Sequence, residues 1–342
     1  MRRSTFLGAL FLLAGCGANT PAEAPPVEAG KPEPAPQAAA APLLLASGVW
    51  APFTDKENKP RFAVELVHEA LKRSDVSFET TITSPQELMP GLESGAFEGS
   101  EALWLTEKRK EYLLYSEPYL ENRLVLLGRK GSVVTAKSVA ELSGKKLGVV
   151  KDYAYGPEIL KTQGPELVFG ASDEDNLRSL LKEEVDYIIV DSLLVYFLFE
   201  YSREKANDKL AVGSSPLATR SLHFAVRKDR EGAAAIIEKF NAQLPQMSRD
   251  GTYHRLLHVT WIVADVDGDG TKEHVARGDQ VGKISPQSEY KLTSGDLPTG
   301  TRFVIEGETY VDWEHVPPEY KVPGIDPIDT FRPAVNAVLF EF

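Results

Sequence analysis

From Leu43 onward, short apolar runs alternate with amphipathic stretches. "LLLAS" (43–47) and "FETTI" (78–82) have strand length and strand residues. Between them "FAVELVHEALKR" carries apolar residues at 63, 66, 67, 70 and 71, one face of a helix. The same alternation continues through "PQELMPGLESG" (helix), "RLVLLGR" (strand), "KKLGVV" (strand), "GPEILKTQ" (helix), "ELVFG" (strand), "EDNLRSLLKE" (helix) and "VDYIIVD" (strand). An apolar helix "SLLVYFLFEY", a strand "SLHFAVR" and a helix "GAAAIIEKFNAQL" complete it. Strands and helices alternating at these lengths predict an α/β fold with mostly parallel sheets. In such sheets ligand groups lie just beyond the carboxyl ends of the strands.

Near residue 259 the texture changes. Helical periodicity stops, and Gly, Pro, Asp and short β-rich runs such as "TRFVIEGETYVDW" and "NAVLFEF" take over. This places a boundary at 260 and makes 261–342 a small β-rich extension. At the other end, Arg2 and Arg3 precede the apolar run Phe6 to Leu13, which leads through "LAGC" to Cys16, the chain's single cysteine. A basic start, a short apolar core and small residues before a cut describe a secretory signal over 1–16. Small residues before a lone cysteine resemble the lipobox of bacterial lipoproteins, with Cys16 as the lipidated residue. Residues 17–42 hold many Pro and Ala and no aromatic residue, so they cannot bury a core and predict a disordered tether.

Charge and chemistry narrow the classes. A formal net charge of −12 argues against a nucleic-acid partner, which needs clustered Lys and Arg. No apolar run reaches the roughly 20 residues of a membrane-spanning helix. The six histidines lack zinc spacing; His254 and His258 are four apart, but no Glu follows the first as in a metalloprotease. There is neither a Gly-x-Ser-x-Gly elbow nor a phosphate-cradling Walker loop.

"VADVDGDGTKEHV" (263–275) is more specific. Asp265, Asp267 and Asp269 alternate, Gly270 permits a sharp turn, and Glu273 follows at position 9, with Thr271 at position 7. Calcium takes about six to eight oxygens, and Asp at positions 1, 3 and 5 before a Gly suits it. Position 12 is Ala276, so the EF-hand glutamate is missing and Glu273 takes its place, as in integrin-type β-repeats. Three carboxylates so close repel one another unless a cation neutralises them. The expectation is one structural calcium on a β-hairpin.

Five stretches, in order, carry a resemblance: "WAPF" (50–53), "LESGAFEG" (92–99), "TEKRKEYLLYSEPYLENRLVLLGRKGS", "SVAELSGKKLGVVKDYAYG" and "LRSLLKEEVDYIIVDS". Together they resemble the family 3 solute-binding proteins, the polar amino-acid receptors of ABC importers, over most of 43–260. The resemblance implies a two-lobed periplasmic-binding-protein fold of type II with two crossover strands. Lobe one would be about 43–127 plus 220–260, and lobe two about 128–216. It implies a monomeric, exported, lipid-anchored receptor, with no enzymatic activity, that passes a small charged solute to a permease.

The resemblance also assigns roles. Arg109 matches the arginine that grips a ligand carboxylate, a task that suits a planar guanidinium, and Thr106 lies in the same loop. Asp191 matches the aspartate that holds the ligand ammonium. Trp50 stands where the family has a pocket aromatic. Two departures stand out. "SEALWL" lacks the family's small hydroxyl residues before Thr-x-x-Arg, so Glu101 and Trp104 are expected to project into the cleft. "DYA" (152–154) replaces Gly-Thr-Thr, bringing Tyr153 to the site. Thr106 as a plain helix cap, Asp191 as an N-cap and Trp50 as core are the structural alternatives. The functional alternatives are a dehydratase-like enzyme using an acid such as Glu101, and a calcium-stabilised surface protein with a vestigial cleft.

Overall fold

The computed structural model describes residues 41–56, 61–201, 203–257, 259, 261–276, 290–291 and 297–321. The expected signal segment with Cys16, almost all of the tether, His258 and residues 322–342 lie outside them.

The chain opens with β1 (Leu43–Gly48), α1 (Phe62–Arg73), β2 (Phe78–Thr83), α2 (Pro85–Ser94), β3 (Gly99–Trp104), α3 (Glu107–Lys110) and β4 (Leu113–Tyr115). β2 and β3 pair parallel with β1 on either side. The periodic face of α1 is buried, from Phe62 and Ala63 through Leu66, Val67, Ala70 and Leu71. Ser84 and Glu87 form a capping box at the start of α2, and left-handed Gly95 ends it. Then β5 (Leu120–Arg129) crosses into a second lobe of β6 (Lys146–Val150), α4 (Pro157–Leu160), β7 (Glu166–Gly170), α5 (Asp173–Leu181), β8 (Tyr187–Asp191), α6 (Ser192–Tyr201) and α7 (Arg203–Lys209). Here too β6 pairs parallel with β7 and β8.

β9 (Leu210–Arg227) returns over 18 residues. Its residues 210–222 pair antiparallel with β5, and residues 222–227 pair antiparallel with β3 and β4. The order is therefore β2-β1-β3-β9-β5-β8-β6-β7, with β4 off this path on β9, in one nine-stranded sheet running through both lobes. Parallel pairing holds within each lobe, and antiparallel pairing is confined to the strands that cross or flank the junction. The fold is thus a mixed α/β, two-lobed type II binding-protein architecture. α8 (Ala233–Arg249) and α9 (Thr252–Leu257) pack back on α1 of lobe one.

A second sheet follows: β10 (Trp261–Ala264), β11 (Lys272–Ala276), β12 (Tyr290–Lys291), β13 (Thr299–Ile305) and β14 (Glu308–Tyr310), in the order β12-β10-β11-β13-β14. β10 and β11 are the antiparallel hairpin expected around the acidic loop. One side of this sheet, with Ile262, Ala264, Val275 and Val304, joins the main apolar core. The other side has its own core of Trp261, Phe303, Ile305 and Val316. His254 on α9 meets the Val275 carbonyl at 2.9 Å, and Arg249 donates to the Val266 carbonyl at 2.8 Å, so the extension is seated on lobe one.

Candidate functional site

Where the lobes face each other, aromatic rings fill the space. Trp50 follows β1 in a tight turn, in which its amide donates to the Thr54 carbonyl at 2.7 Å. Its ring meets Phe53 at 4.4 Å, Trp104 at 5.4 Å and Tyr153 of lobe two at 5.6 Å, centroid to centroid. Trp104, at the end of β3, meets Tyr153 and Tyr155 at 5.8 Å each, mostly edge to face. Phe62 and Phe197 stack across the lobes at 4.5 Å. A cavity of about 110 Å³ remains, lined by Gly48, Trp50, Leu88, Trp104, Arg109, Asp152 and Tyr153 among others. That is below the roughly 300 Å³ at which small-molecule sites begin. The lobes are closed on their own side chains.

Arg109 sits in the short helix α3. The Thr106 hydroxyl accepts the Arg109 amide at 3.3 Å, so Thr106 acts as the helix cap. The neighbouring cations are paired, Lys108 with Glu93 at 3.1 Å and Lys110 with Glu107 at 2.8 Å. Arg109 has no carboxylate partner among the described residues. One of its Nη atoms donates to the Trp104 carbonyl at 3.0 Å, which aims the half-buried guanidinium along the cavity wall.

On the lobe-two side Asp191 ends β8 and is buried. Its Oδ1 accepts the Leu193 amide at 2.6 Å, the N-capping geometry for α6. Its Oδ2 accepts from Asn122 Nδ2 at 3.0 Å, and the Trp104 indole donates to Asn122 Oδ1 at 2.8 Å. A chain of hydrogen bonds thus links a lobe-one indole to Asp191. Asp173, the first residue of α5, is buried as well, and the Trp50 indole favours its charged form while the Asp191 charge opposes it. Burial pushes both carboxyls up to about 7, and the Asp191 charge adds to the rise at Asp173. Burial likewise holds the Tyr153 phenol well above its usual range.

Glu101 is not where it was expected. It is fully buried inside lobe one, accepting from Ser47 on β1 and Thr80 on β2 at 2.7 Å each, with His68 of α1 at 3.5 Å. The absence of the family's hydroxyl residues, from which its position was inferred, leaves Glu101 free to serve as the acceptor for hydroxyls of β1 and β2 within lobe one. Trp104 and Tyr153 do face the cleft. Reasoning from sequence missed Asp152 and Asp173. A signal existed for Asp173: residues 173, 177 and 180 share one helical face, and Leu177 and Leu180 are its apolar members. Gly170 at the end of β7 leaves no room for a Cβ beside Asn176, which holds that end of α5 close to the sheet.

The acidic loop is a separate site. One oxygen each of Asp265, Asp267 and Asp269 lies within 4.8 Å of the others. Asp265 also accepts the amides of Gly268 and Gly270 at 2.7 and 3.0 Å, and Asp269 that of Thr271 at 2.8 Å. Both glycines have left-handed φ, which the tight loop requires. The donor set suits a hard cation. A cation of the protein's own is also present, because Arg302 on β13 bridges Asp267 at 3.1 Å, Asp269 at 2.6 Å and the buried Glu273.

Comparison with known proteins agrees with this architecture. The model of the bacterial extracellular solute-binding proteins, family 3, matches residues 46–263. The L-cystine-binding protein TcyJ of Escherichia coli K12 is 26% identical over 229 residues, 66% of this chain and 83% of that protein. A mutant of ArgBP from T. maritima superposes with a TM-score of 0.52 at 25% identity, covering 63% of this chain and 93% of that one. An ancestral arginine-binding protein bound to arginine gives 0.54 at 23% identity, over 64% and 97%.

Proposed function

Because the chain belongs to the bacterial extracellular solute-binding proteins of family 3, we propose that it captures a small charged solute between its lobes for an ABC importer. The observation that carries this reading is Arg109, a half-buried guanidinium on the cavity wall, held by a backbone carbonyl and without a carboxylate partner among the described residues. A guanidinium so placed offers its remaining N–H groups to an anion, and a carboxylate matches its fork. Trp50, Trp104 and Tyr153 would contribute apolar walls, and Asp191 a cation-binding oxygen once closure reforms around a ligand. The family's amino-acid receptors, such as the cystine- and arginine-binding relatives, support an amino acid or a related molecule as the solute.

No chemical step is needed for this task. The dehydratase-like alternative relied on Glu101 as a pocket acid, and that carboxylate is held inside lobe one by Ser47, Thr80 and His68. A thermal-shift screen against amino acids, organic acids and peptides tests the binding reading. A ligand at about 100 times its Kd stabilises the protein by about 2.7 kcal/mol. If no charged solute shifts the melt, the reading fails.

The proposal extends to anchoring and to the extension. Cys16 would carry the lipid that tethers the receptor to a bacterial membrane; incorporation of labelled palmitate that survives Cys16→Ser would refute this. One calcium at Asp265, Asp267, Asp269, Thr271 and Glu273 would pin the hairpin of the second sheet.

A further inference from the structure

The second sheet lies almost wholly beyond the family match, which ends at residue 263. Its attachment reaches a strand on which the lobes turn. The Tyr253 hydroxyl, on α9, donates to the Tyr119 carbonyl at 3.1 Å, one residue before β5 begins. The next residue of the same helix, His254, meets the Val275 carbonyl of β11 at 2.9 Å. Adjacent side chains of one short helix thus hold the extension on one side and the root of a crossover strand on the other. All three of Tyr119, Tyr253 and His254 are buried.

Tyr119 is fixed from other directions too. Its own hydroxyl donates to the Glu101 carbonyl of β3 at 2.8 Å, and its amide to the Leu222 carbonyl of β9 at 3.0 Å. Its ring stands edge to face with Phe240 of α8 at 5.9 Å. Within β5, three residues further on, lies the fully buried Asn122. Its side-chain amide accepts from Trp104 of lobe one and donates to Asp191 of lobe two. Those two partners separate when the lobes part, so Asn122 keeps both only while β5 holds its present position. Hinge motion in such folds is absorbed by a few residues at the ends of elements, and Tyr119 is at such an end.

We infer that the β-rich extension is a brace on the hinge, and that Tyr253 is the positioning residue through which it holds β5, and with it Asn122, in the closed arrangement. The link runs from Val275 through His254, Tyr253 and Tyr119 to Asn122, by hydrogen bonds and chain neighbours in a packed interior. It concerns how firmly the lobes are held and goes beyond the solute-binding reading, on which it does not depend.

Hydrogen exchange of the full-length protein, followed by mass spectrometry on peptides from β5, β6, β11 and the start of α6, tests this. Tyr253→Phe removes one hydroxyl and keeps the ring, so the variant should fold, and its melt checks that it does. Its amides over 119–124, and the Leu193 amide that Asp191 accepts, are expected to exchange about threefold to tenfold faster, while those of β6 keep the wild-type rate. His254→Ala is expected to speed exchange in β11 and in the same β5 amides together. Unchanged exchange over 119–124 in Tyr253→Phe overturns the inference, as does an effect of His254→Ala confined to β11. Acceleration shared equally by β6 would mark a loss of global stability and overturn it as well. None of these outcomes bears on whether the cleft takes a solute.

Discussion

The indole N–H of Trp104, on lobe one, donates to Asn122 Oδ1 at 2.8 Å, and Asn122 Nδ2 donates to the buried Asp191 of lobe two at 3.0 Å. The indole of Trp50 favours the charged form of a second buried acid, Asp173. A tryptophan of one lobe is thereby tied to a buried acid of the other, and aromatic rings fill the cleft. Closure without ligand is a packing and hydrogen-bonding state of its own, with which a solute must compete.

Trp50→Phe preserves a ring against Phe53, Trp104 and Tyr153 but removes the indole N–H that favours the charged Asp173. A buried acceptor left unmet costs about 1–3 kcal/mol. The variant should lose that much stability at pH 8 and less at pH 5, where Asp173 is protonated. Urea unfolding at the two pH values measures the difference, and equal losses would refute the assignment.

Burial raises Asp173 and Asp191 to about 7 from the ordinary 3.8. The native state therefore binds protons that the unfolded chain has released. The stability these protons supply is fully present below about pH 4 and is lost as pH rises through about 7. Scanning calorimetry of the ligand-free protein should show a melting temperature that falls from pH 5 to pH 8. Asp173→Asn should flatten that fall and melt higher than wild type at pH 8.

Arg109→Ala removes a single hydrogen bond, to the Trp104 carbonyl, so its melt should shift by less than that of a core substitution. Its affinity for carboxylate-bearing solutes should drop by about tenfold to a hundredfold. Arg109→Lys should restore only part, because an ammonium cannot offer two parallel bonds. Unchanged affinity in the alanine variant would remove Arg109 from the site.

Glu101→Ala tests the buried position of that residue. It removes the acceptor of the Ser47 and Thr80 hydroxyls, leaving them only Ser100 and His68, which should destabilise the fold by about 1–3 kcal/mol. Solute affinity of the remaining folded protein should be unchanged. A selective loss of binding without loss of stability would return Glu101 to the cleft.

Arg302 and calcium would share the same carboxylates. Calcium at about 100 times its Kd should raise stability by about 2.7 kcal/mol over the EDTA-treated protein. Arg302→Ala should tighten calcium binding by removing the internal competitor, and should lower the melt in EDTA. A melt indifferent to chelation in both proteins would leave Arg302 as the loop's own counter-ion.

The elements were legible because they depend on local periodicity. The 3.6-residue spacing in "FAVELVHEALKR" emerges as the buried face of α1, and the alternating aspartates mark the turn between β10 and β11. Where periodicity is weak, length was misjudged. "LAVGSSPLATR" gives no strand signal, yet it forms the first part of the 18-residue β9 because β5 lies alongside to pair with it. "GPEILKTQ" reads as a helix but keeps only the four residues Pro157–Leu160.

Sequence by itself determined the α/β alternation, the break into a β-rich extension, the acidic loop and the order of motifs that resembles family 3. All of these are patterns between near neighbours, set by side-chain period and turn chemistry. Tertiary structure alone decided which charges meet. It buried Glu101 in lobe one against Ser47 and Thr80 and brought Trp50 to Tyr153 from more than a hundred residues away. It also set Arg302 across the loop aspartates. Such contacts depend on strand order and lobe closure, which no local periodicity encodes, and they distinguish a solvated acid from a buried one that needs a cation.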